Sequence, residues 1–202
     1  TQRRKMQMMT WRSFSVARRL HRLAAQYRAQ LPADVDAASG LCADGNVRIA
    51  ESPGKGLGAF AERRLPLDCE VGLYKGELLT LSAMHARYGT VAGYAVADMT
   101  WHREWSEERR QRGVGLSGRY CFKWGSCPRT GRLLIIDGED PQHGSWTRFL
   151  NHSAKWPSLS ASPILHADVP VIVFISNREI EPGEELLFNY GEGYGFDGLV
   201  DD

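Results

Sequence analysis

Two short stretches near the carboxyl end of the sequence set the expected fold: RFLNHS at residues 148–153 and EPGEELLFNYG at residues 181–191. The first places polar side chains around an aromatic and an aliphatic residue in an apolar neighbourhood. Because buried polar groups need hydrogen-bond partners, such a hexapeptide indicates a specific set of contacts. Taken singly, His152 is typical of a structural histidine and Asn151 of a cap or turn residue.

A glycine-rich segment, GKGLG at residues 54–58, lies about a hundred residues upstream. Three glycines at alternate positions let the backbone approach a ligand closely. The segment lacks both the GKS/T ending of a phosphate-binding loop and the spacing of a dinucleotide-binding fingerprint. Alone it predicts a turn, and a ligand contact is the alternative.

Short apolar runs bounded by turn residues predict a mostly β chain with one helical insertion. Strands are expected at residues 47–51, 71–74, 133–136, 171–175 and 185–190. The runs at 133–136 and 171–175 are apolar enough to be buried on both faces. Residues 81–112 mix aromatic and charged side chains and predict irregular helix, whereas residues 32–42 predict a linker.

Together, and in this order, these elements resemble the SET-domain protein lysine methyltransferases. The likeness covers about residues 45–195, and RFxNHS and EELxxxY are its specific elements. It also includes the GxG turn at residues 56–58, YKGE at 74–77 and RYCF at 119–122. The resemblance implies an α+β fold, mostly β, of small curved sheets in which the C-terminal segment threads an earlier one as a pseudoknot.

The resemblance also implies a division of the chain. The SET domain would span residues 41–195 and contain a variable, substrate-selecting insert at residues 81–118. A basic flanking helix and linker would occupy residues 1–40, and a short acidic tail residues 196–202.

The site that the resemblance implies has two openings on opposite faces. One admits S-adenosylmethionine, which leaves as S-adenosylhomocysteine, and the other admits the substrate lysine through a narrow channel. Tyr190, Tyr120 and Phe188 are the implied catalytic and channel residues. The implied cofactor contacts are Lys55, Gly56, Leu57, Gly58, Tyr120, Arg148, Asn151, His152, Tyr190 and Phe196.

The chemistry sets its own physical requirements. Methyl transfer from a sulfonium to an amine is an in-line displacement, so nitrogen, carbon and sulfur must be held nearly collinear. The amine must be neutral, although a free lysine has a pKa of about 10.4. Since Phe188 stands where the family carries a Phe or Tyr that governs the number of methyl groups added, we expect di- or trimethylation.

Two departures from the family pattern keep other functions open. Asn189 stands where the family usually has Asp, and no cysteine cluster follows Tyr190 to bind zinc. One alternative is therefore a catalytically silent SET-like module that binds peptides or partner proteins. Another is a methyltransferase for a non-histone protein, although a histone tail is the expected substrate.

The basic residues are distributed unevenly. Residues 1–33 carry eight Lys and Arg and no acid, so the remaining chain has an excess of acidic residues although the net charge of the whole chain is +1. Apolar residues recur at spacings of three and four between Trp11 and Leu31, which predicts an amphipathic helix. Its arginines are candidates for a weak contact with nucleosomal DNA, and a solvated helix face is the alternative.

Composition and cysteine spacing exclude several classes of protein and of metal site. The 202 residues suit one domain with an appendage, and 43% of them are hydrophobic. No apolar run approaches the length of about 20 residues that a membrane span needs, so we expect no membrane contact. Cys42, Cys69, Cys121 and Cys127 form no metal-ligand pattern. We therefore expect free thiols, no zinc or other metal, and an intracellular location. The nucleus, as the place within the cell, is what the resemblance and its expected histone substrate imply.

Overall fold

The computed structural model of the chain describes residues 30–89 and 99–191. Strands dominate this part, and two helices and one 3₁₀ turn complete it. The strands are β1 (Val47–Ser52), β2 (Gly56–Ala61), β3 (Glu70–Tyr74), β4 (Glu77–Thr80), β5 (Cys121–Ser126), β6 (Leu133–Asp137), β7 (Asn151–His152), β8 (Leu159–His166), β9 (Val169–Ser176) and β10 (Leu187–Phe188). The helices are α1 (Leu81–Tyr88) and α2 (Met99–Gln111), and the 3₁₀ turn spans Trp146–Phe149. The expected α+β, mostly β class is confirmed.

The first sheet is the antiparallel hairpin of β1 and β2. Along β1, Val47 and Ile49 are buried while the residues between them are partly exposed, as their alternation predicts. The strands pair from Val47 opposite Ala61 to Ser52 opposite Gly56. Gly54 and Gly56 have φ values of 76° and 81°, which only glycine adopts without strain. The glycines therefore close the turn of this hairpin.

The largest sheet has the strand order β3-β9-β8-β10-β7. Strand β9 lies between β3 and β8, and its residues from Val171 to Phe174 are all buried, as the apolar run at 171–175 predicts. Strands β8 and β9 form an antiparallel hairpin from Leu159 opposite Ser176 to His166 opposite Val169. The C-terminal segment lies alongside this hairpin.

The C-terminal segment is threaded between two strands that precede it in sequence. Strand β10 pairs in parallel with β7 on one side and with β8 on the other, so Phe188 lies beside both His152 and Leu159. The loop between β7 and β8 is fastened to β10 as well, because Ser153 N–H donates to Phe188 O at 3.1 Å. The expected pseudoknot is thereby confirmed. The strand expected at 185–190 is shorter, because only two of its residues pair with neighbours.

The insert covers the third sheet, which has the order β4-β6-β5. Helix α1 begins directly after β4, and its first turn is capped by Thr80 Oγ1, which accepts the Ala83 N–H at 3.2 Å. Helix α2 is strongly polar, with thirteen residues that include two tryptophans and three arginines. The helical character expected for residues 81–112 is confirmed in the part that the structure describes.

The segment expected to be a linker, residues 32–42, instead packs onto the domain. Val35 and Cys42 are 7% and 2% exposed and belong to the core. The Asp34 carboxylate accepts the Trp146 N–H at 3.0 Å, and burial raises the pKa of that carboxyl. A contact between positions more than a hundred residues apart leaves no local sequence signal, which is why a polar, turn-rich stretch was expected to be a linker.

Two expectations fall outside the described residues. They are the amphipathic helix, of which only its last residues are described, and the tail at residues 196–202, which includes Phe196. The division into flanking helix, SET domain and tail stays a prediction. Within residues 30–89 and 99–191, no helix is both long and apolar enough to cross a membrane.

Candidate active site

A cavity of about 580 Å³ lies where the start of β2, strand β5, the 3₁₀ turn and the threaded C-terminal segment meet. Its lining joins residues that are far apart in the sequence. They are Gln30, Lys55, Gly56, Leu57, Tyr74, Arg119, Tyr120, Cys121, Phe122, Lys123, Thr147, Arg148, Phe149, Leu150, Asn151, Phe188 and Tyr190. Seven of the ten expected cofactor positions are among them, together with all three expected catalytic positions.

Tyr190 stands at the end of the threaded segment. Its hydroxyl donates to Leu150 O at 2.6 Å, and its backbone N–H donates to His152 Nδ1 at 3.1 Å. Its ring lies 4.5 Å from the Phe188 ring and 5.1 Å from the His152 ring, centroid to centroid. The phenol is therefore held at both ends, which fixes its direction relative to the cavity.

Phe188 is the deepest of the expected channel residues and is 6% exposed. It stacks on Phe122 with a centroid distance of 5.8 Å and an interplanar angle of 15°. It also meets the edge of Phe174, with a centroid distance of 4.8 Å. Aromatic contacts of this kind add to the stabilisation from burial alone. Phe188 is thus both a core residue and part of the cavity lining.

Tyr120 forms the opposite side of the cavity and is held through its backbone and its ring. Its carbonyl accepts the Tyr74 hydroxyl at 2.5 Å and the Gly138 N–H at 2.9 Å. The Arg148 guanidinium lies over its ring, 4.1 Å from the centroid. Tyr74, Tyr120, Phe122, Phe188 and Tyr190 together are called the aromatic wall below.

The glycine-rich turn forms the rim of the same cavity. Lys55, Gly56 and Leu57 line it, and Lys55 Nζ donates to His152 O at 3.1 Å. A Cβ built on Gly56 would meet nothing within 4 Å. The rim is therefore open beside this glycine, where a ligand can approach the backbone.

Three expected cofactor residues hold the rim in place from behind. Asn151 Nδ2 donates to Leu57 O at 3.1 Å and to Glu185 Oε1 at 2.8 Å, which ties the turn to the threaded segment. A Cβ on Gly58 would lie 2.5 Å from Glu185 Oε1, so this glycine is required by packing. Gly58 and His152 do not line the cavity, whereas Asn151 reaches its wall. Their expected contact with the cofactor stays a prediction.

Sequence reasoning missed several wall residues. Phe122 is two positions from Tyr120 and, because strand side chains alternate, that spacing was a signal that both face the cavity. Tyr74 belongs to the YKGE motif and also lines the cavity, which its sequence pattern does not indicate. Glu185 accepts a hydrogen bond from Asn151, and no local sequence pattern indicates that contact.

The acids of the neighbourhood lie behind the wall rather than in the cavity. Within the described residues, the lining includes the cations Lys55, Arg119, Lys123 and Arg148 and no Asp or Glu. Arg148 is 7% exposed, its NH1 group donates to Glu139 O at 3.0 Å, and its Nε has no hydrogen-bond partner in the described part. A buried guanidinium N–H at a cavity wall indicates a site for an acceptor on a ligand.

A buried cluster of charges lies under the insert, and we call its members the insert network. They are Glu77, Arg87, Tyr88, Arg109 and Asp137. Arg87 binds Glu77 through both terminal nitrogens, at 2.7 and 2.8 Å, and Asp137 Oδ2 at 2.9 Å. Burial alone would raise the pKa of Glu77, but the guanidiniums of Arg87 and Arg109 hold that pKa below its usual range.

Residues 30–89 and 99–191 contain no group of three His, Cys, Asp or Glu that could hold a metal ion.

The fold and the cavity together define a mostly β domain in which a tyrosine of the threaded C-terminal segment lines an aromatic cavity. A family model described as SET domain matches residues 56–191, which is more than half of the chain. The chain therefore belongs to the SET domain family, a family of protein lysine methyltransferases.

One solved structure that the chain resembles is the crystal structure of CpSET8 from Cryptosporidium. The two share 23% identity with a TM-score of 0.47, and the match covers 75% of this chain. The match spans 61% of the length of that structure. No curated protein matches the sequence.

Proposed function

We propose that this protein is an S-adenosylmethionine-dependent protein lysine N-methyltransferase. The observation that carries the proposal is one cavity that joins the aromatic wall to the open glycine rim and to the buried Arg148. The aromatic wall suits the aliphatic stem of a lysine, and the rim with Arg148 suits a polar cosubstrate. Family membership supports the same reaction.

The residues present fit such a cosubstrate. The backbone of residues 55–57, with the open space at Gly56, would hold its nucleoside part, and the Arg148 Nε–H would find an acceptor on it. When bound, S-adenosylmethionine supplies a methyl group activated by its sulfonium charge.

The chain's own part in the reaction is to position and desolvate the amine. The aromatic wall excludes water and limits the directions from which a lysine can enter, which lowers the entropic cost of in-line attack. Desolvation disfavours the ammonium form, so it lowers the pKa of the amine. The Tyr190 hydroxyl, already oriented by its bond to Leu150 O, accepts a hydrogen bond from the amine.

The substrate and the degree of methylation belong to the same proposal. A histone tail is the proposed substrate, with the nucleus as the site of action, and a non-histone protein is the alternative. Phe188 presents no hydroxyl to the cavity, which leaves room for a methylated amine and supports di- or trimethylation.

The silent-module alternative rested in part on Asn189, and the structure gives that residue a local role. Its side chain is exposed, and its Oδ1 accepts the Gly191 N–H at 2.9 Å. A carboxylate would accept the same bond, so the amide is a conservative replacement in this turn. This residue therefore gives no structural reason to prefer the silent module.

The first experiment combines calorimetric titration with S-adenosylmethionine and S-adenosylhomocysteine and a radiolabel transfer assay on core histones. We expect binding of both compounds, and label transfer that Tyr190→Phe lowers by about a hundredfold or more while binding is retained. Retained binding and an unchanged melting temperature show that the variant is folded. Absence of binding by the wild-type protein would overturn the proposal and favour the silent module.

A further inference from the structure

Glu139 is buried next to the cavity, and its carboxylate holds the turn that leads into Tyr120. It is 2% exposed and does not line the cavity. Oε2 accepts the Gly118 N–H at 2.8 Å, and both oxygens accept the Ser117 hydroxyl at 2.9 Å. Ser117 N–H adds a longer bond of 3.3 Å to Oε1. The carboxylate therefore fixes two residues that lie just before Tyr120.

The backbone of Glu139 supports the ring of the same tyrosine. Its carbonyl accepts NH1 of Arg148, whose guanidinium lies over the Tyr120 ring at 4.1 Å. The preceding residue, Gly138, donates to the Tyr120 carbonyl. Tyr120 is thus held at its ring, its carbonyl and its preceding turn by one two-residue segment.

The same segment is fastened to the insert on its other side. Asp137 accepts from Arg87 at 2.9 Å and from the Tyr88 hydroxyl at 2.7 Å, and its Oδ1 accepts the Glu139 N–H at 3.0 Å. Asp140 accepts from Arg112 at 2.8 Å. Residues 137–140 therefore lie between the two helices of the insert and the wall of the cavity.

A carboxylate accepts from all three donors that meet at this position. A glutamine has one acceptor oxygen, and its NH₂ group would face the backbone N–H of Ser117 or of Gly118 at the other oxygen position. A buried donor left without an acceptor is costly, so the turn at residues 117–118 would shift to find one. Any such shift is transmitted to Tyr120, which follows two residues later.

We propose that Glu139 is a positioning residue that sets the place of Tyr120 in the lysine channel through the turn at residues 117–118. This inference rests on the proposed lysine methyltransferase activity and adds to it a residue that does not touch the substrate. Glu139 acts on the reaction through Tyr120 and Arg148.

The test compares Glu139→Gln with a matched variant, Asp140→Asn. Both remove a buried carboxylate from one segment, but Asp140 binds the insert and does not contact the turn before Tyr120. For Glu139→Gln we expect about a tenfold higher KM for a lysine peptide and a changed ratio of trimethyl to monomethyl product. The dissociation constant for S-adenosylmethionine should change much less than KM, since the rim at residues 55–57 is untouched and Arg148 binds the backbone carbonyl of residue 139, which the substitution keeps.

The split between these quantities separates positioning from general destabilisation. A lowered stability alone would reduce the active fraction and leave KM and the product ratio unchanged. Should Glu139→Gln fail to fold, Ser117→Ala removes one donor and keeps the charge, and we expect the same changes at smaller size. A KM and product ratio equal to those of the wild type, or equal changes in Asp140→Asn, would overturn the proposal.

A second readout does not depend on activity. Cys121 adjoins Tyr120 and lines the cavity, so its labelling by a small thiol reagent reports on this wall. Peptide mapping by mass spectrometry separates it from the other three cysteines. We expect several-fold faster labelling in Glu139→Gln and the wild-type rate in Asp140→Asn. If the wild-type protein transfers no methyl group, the proposed function fails, while equal labelling rates in all three proteins would refute the role of Glu139 by itself.

Discussion

The aromatic wall and the insert network are both largely buried, yet they are built from opposite chemistry. Four of the five rings of the wall are in contact at centroid distances of 4.5–5.8 Å, whereas the network joins four charged side chains and the Tyr88 hydroxyl at 2.7–2.9 Å. Within the described residues, no acid lines the cavity, and the acids of the network are paired with arginines. The carboxylates of this domain therefore lie away from the place where a lysine amine would have to be neutral.

The largest expected effect comes from breaking the insert network. Arg109 is 2% exposed and binds Glu77 at 2.8 Å, with Asp137 nearby at 3.7 Å. Arg109→Ala leaves these carboxylates with one guanidinium fewer, so we expect a loss of about 3–5 kcal/mol in the free energy of unfolding, measured by denaturant titration. Arg64→Ala is the control, because its pair with Glu179 is exposed and we expect little change. Equal losses in both variants would show that the network contributes nothing special.

The pH dependence of the reaction tests the aromatic wall, beside which the amine must be neutral. The neutral fraction of an amine rises about tenfold per pH unit below its pKa, so we expect the rate to rise by up to about a hundredfold between pH 7 and pH 9. Single-turnover rates at saturating S-adenosylmethionine measure the chemical step directly. A flat profile with chemistry rate-limiting would contradict an amine that must lose its proton before attack.

A smaller change is expected when a hydroxyl is added to the aromatic wall. Phe188→Tyr places a polar group in the cavity, where it can hold a water and crowd a methylated amine. We expect the products to shift toward monomethyl-lysine, as measured by mass spectrometry of a peptide substrate. Phe60→Tyr, on β2 and away from the cavity lining, is the matched control and should leave the products unchanged. Unchanged product ratios in Phe188→Tyr would make Phe188 a core residue only.

The smallest effect concerns the response of the network to acid. Because the pKa of Glu77 is lowered below its ordinary value of 4.5, its contribution to stability is present above that pH and is lost as the pH falls through the folded pKa. The difference in unfolding free energy between the wild type and Glu77→Gln should therefore shrink as the pH falls below about 4.5. A difference that stays constant with pH would show that the Glu77 contacts do not depend on its charge.

Much of the fold could be predicted from local patterns. The alternation at residues 47–51 predicted β1, and the apolar run at residues 171–175 predicted β9. Both predictions were possible because burial of one or both strand faces produces a characteristic pattern of apolar residues. The family motifs predicted the pseudoknot and brought Tyr120, Phe188 and Tyr190 to one place. The packing of residues 32–42 on the core was not predicted, since their partner Trp146 is more than a hundred residues away.

The sequence by itself determined the family, several of the strands and eight of the seventeen residues that line the cavity, because each is encoded in a short motif or in a periodic burial pattern. Only the tertiary structure decided which residues face the cavity and which support it from behind. Gly58 and His152 lie behind the rim, Phe122 completes the wall, and Glu139 holds Tyr120. The physical reason is that side-chain hydrogen bonds and ring contacts join positions about 20 to 100 residues apart. A local sequence pattern does not indicate a partner at that distance.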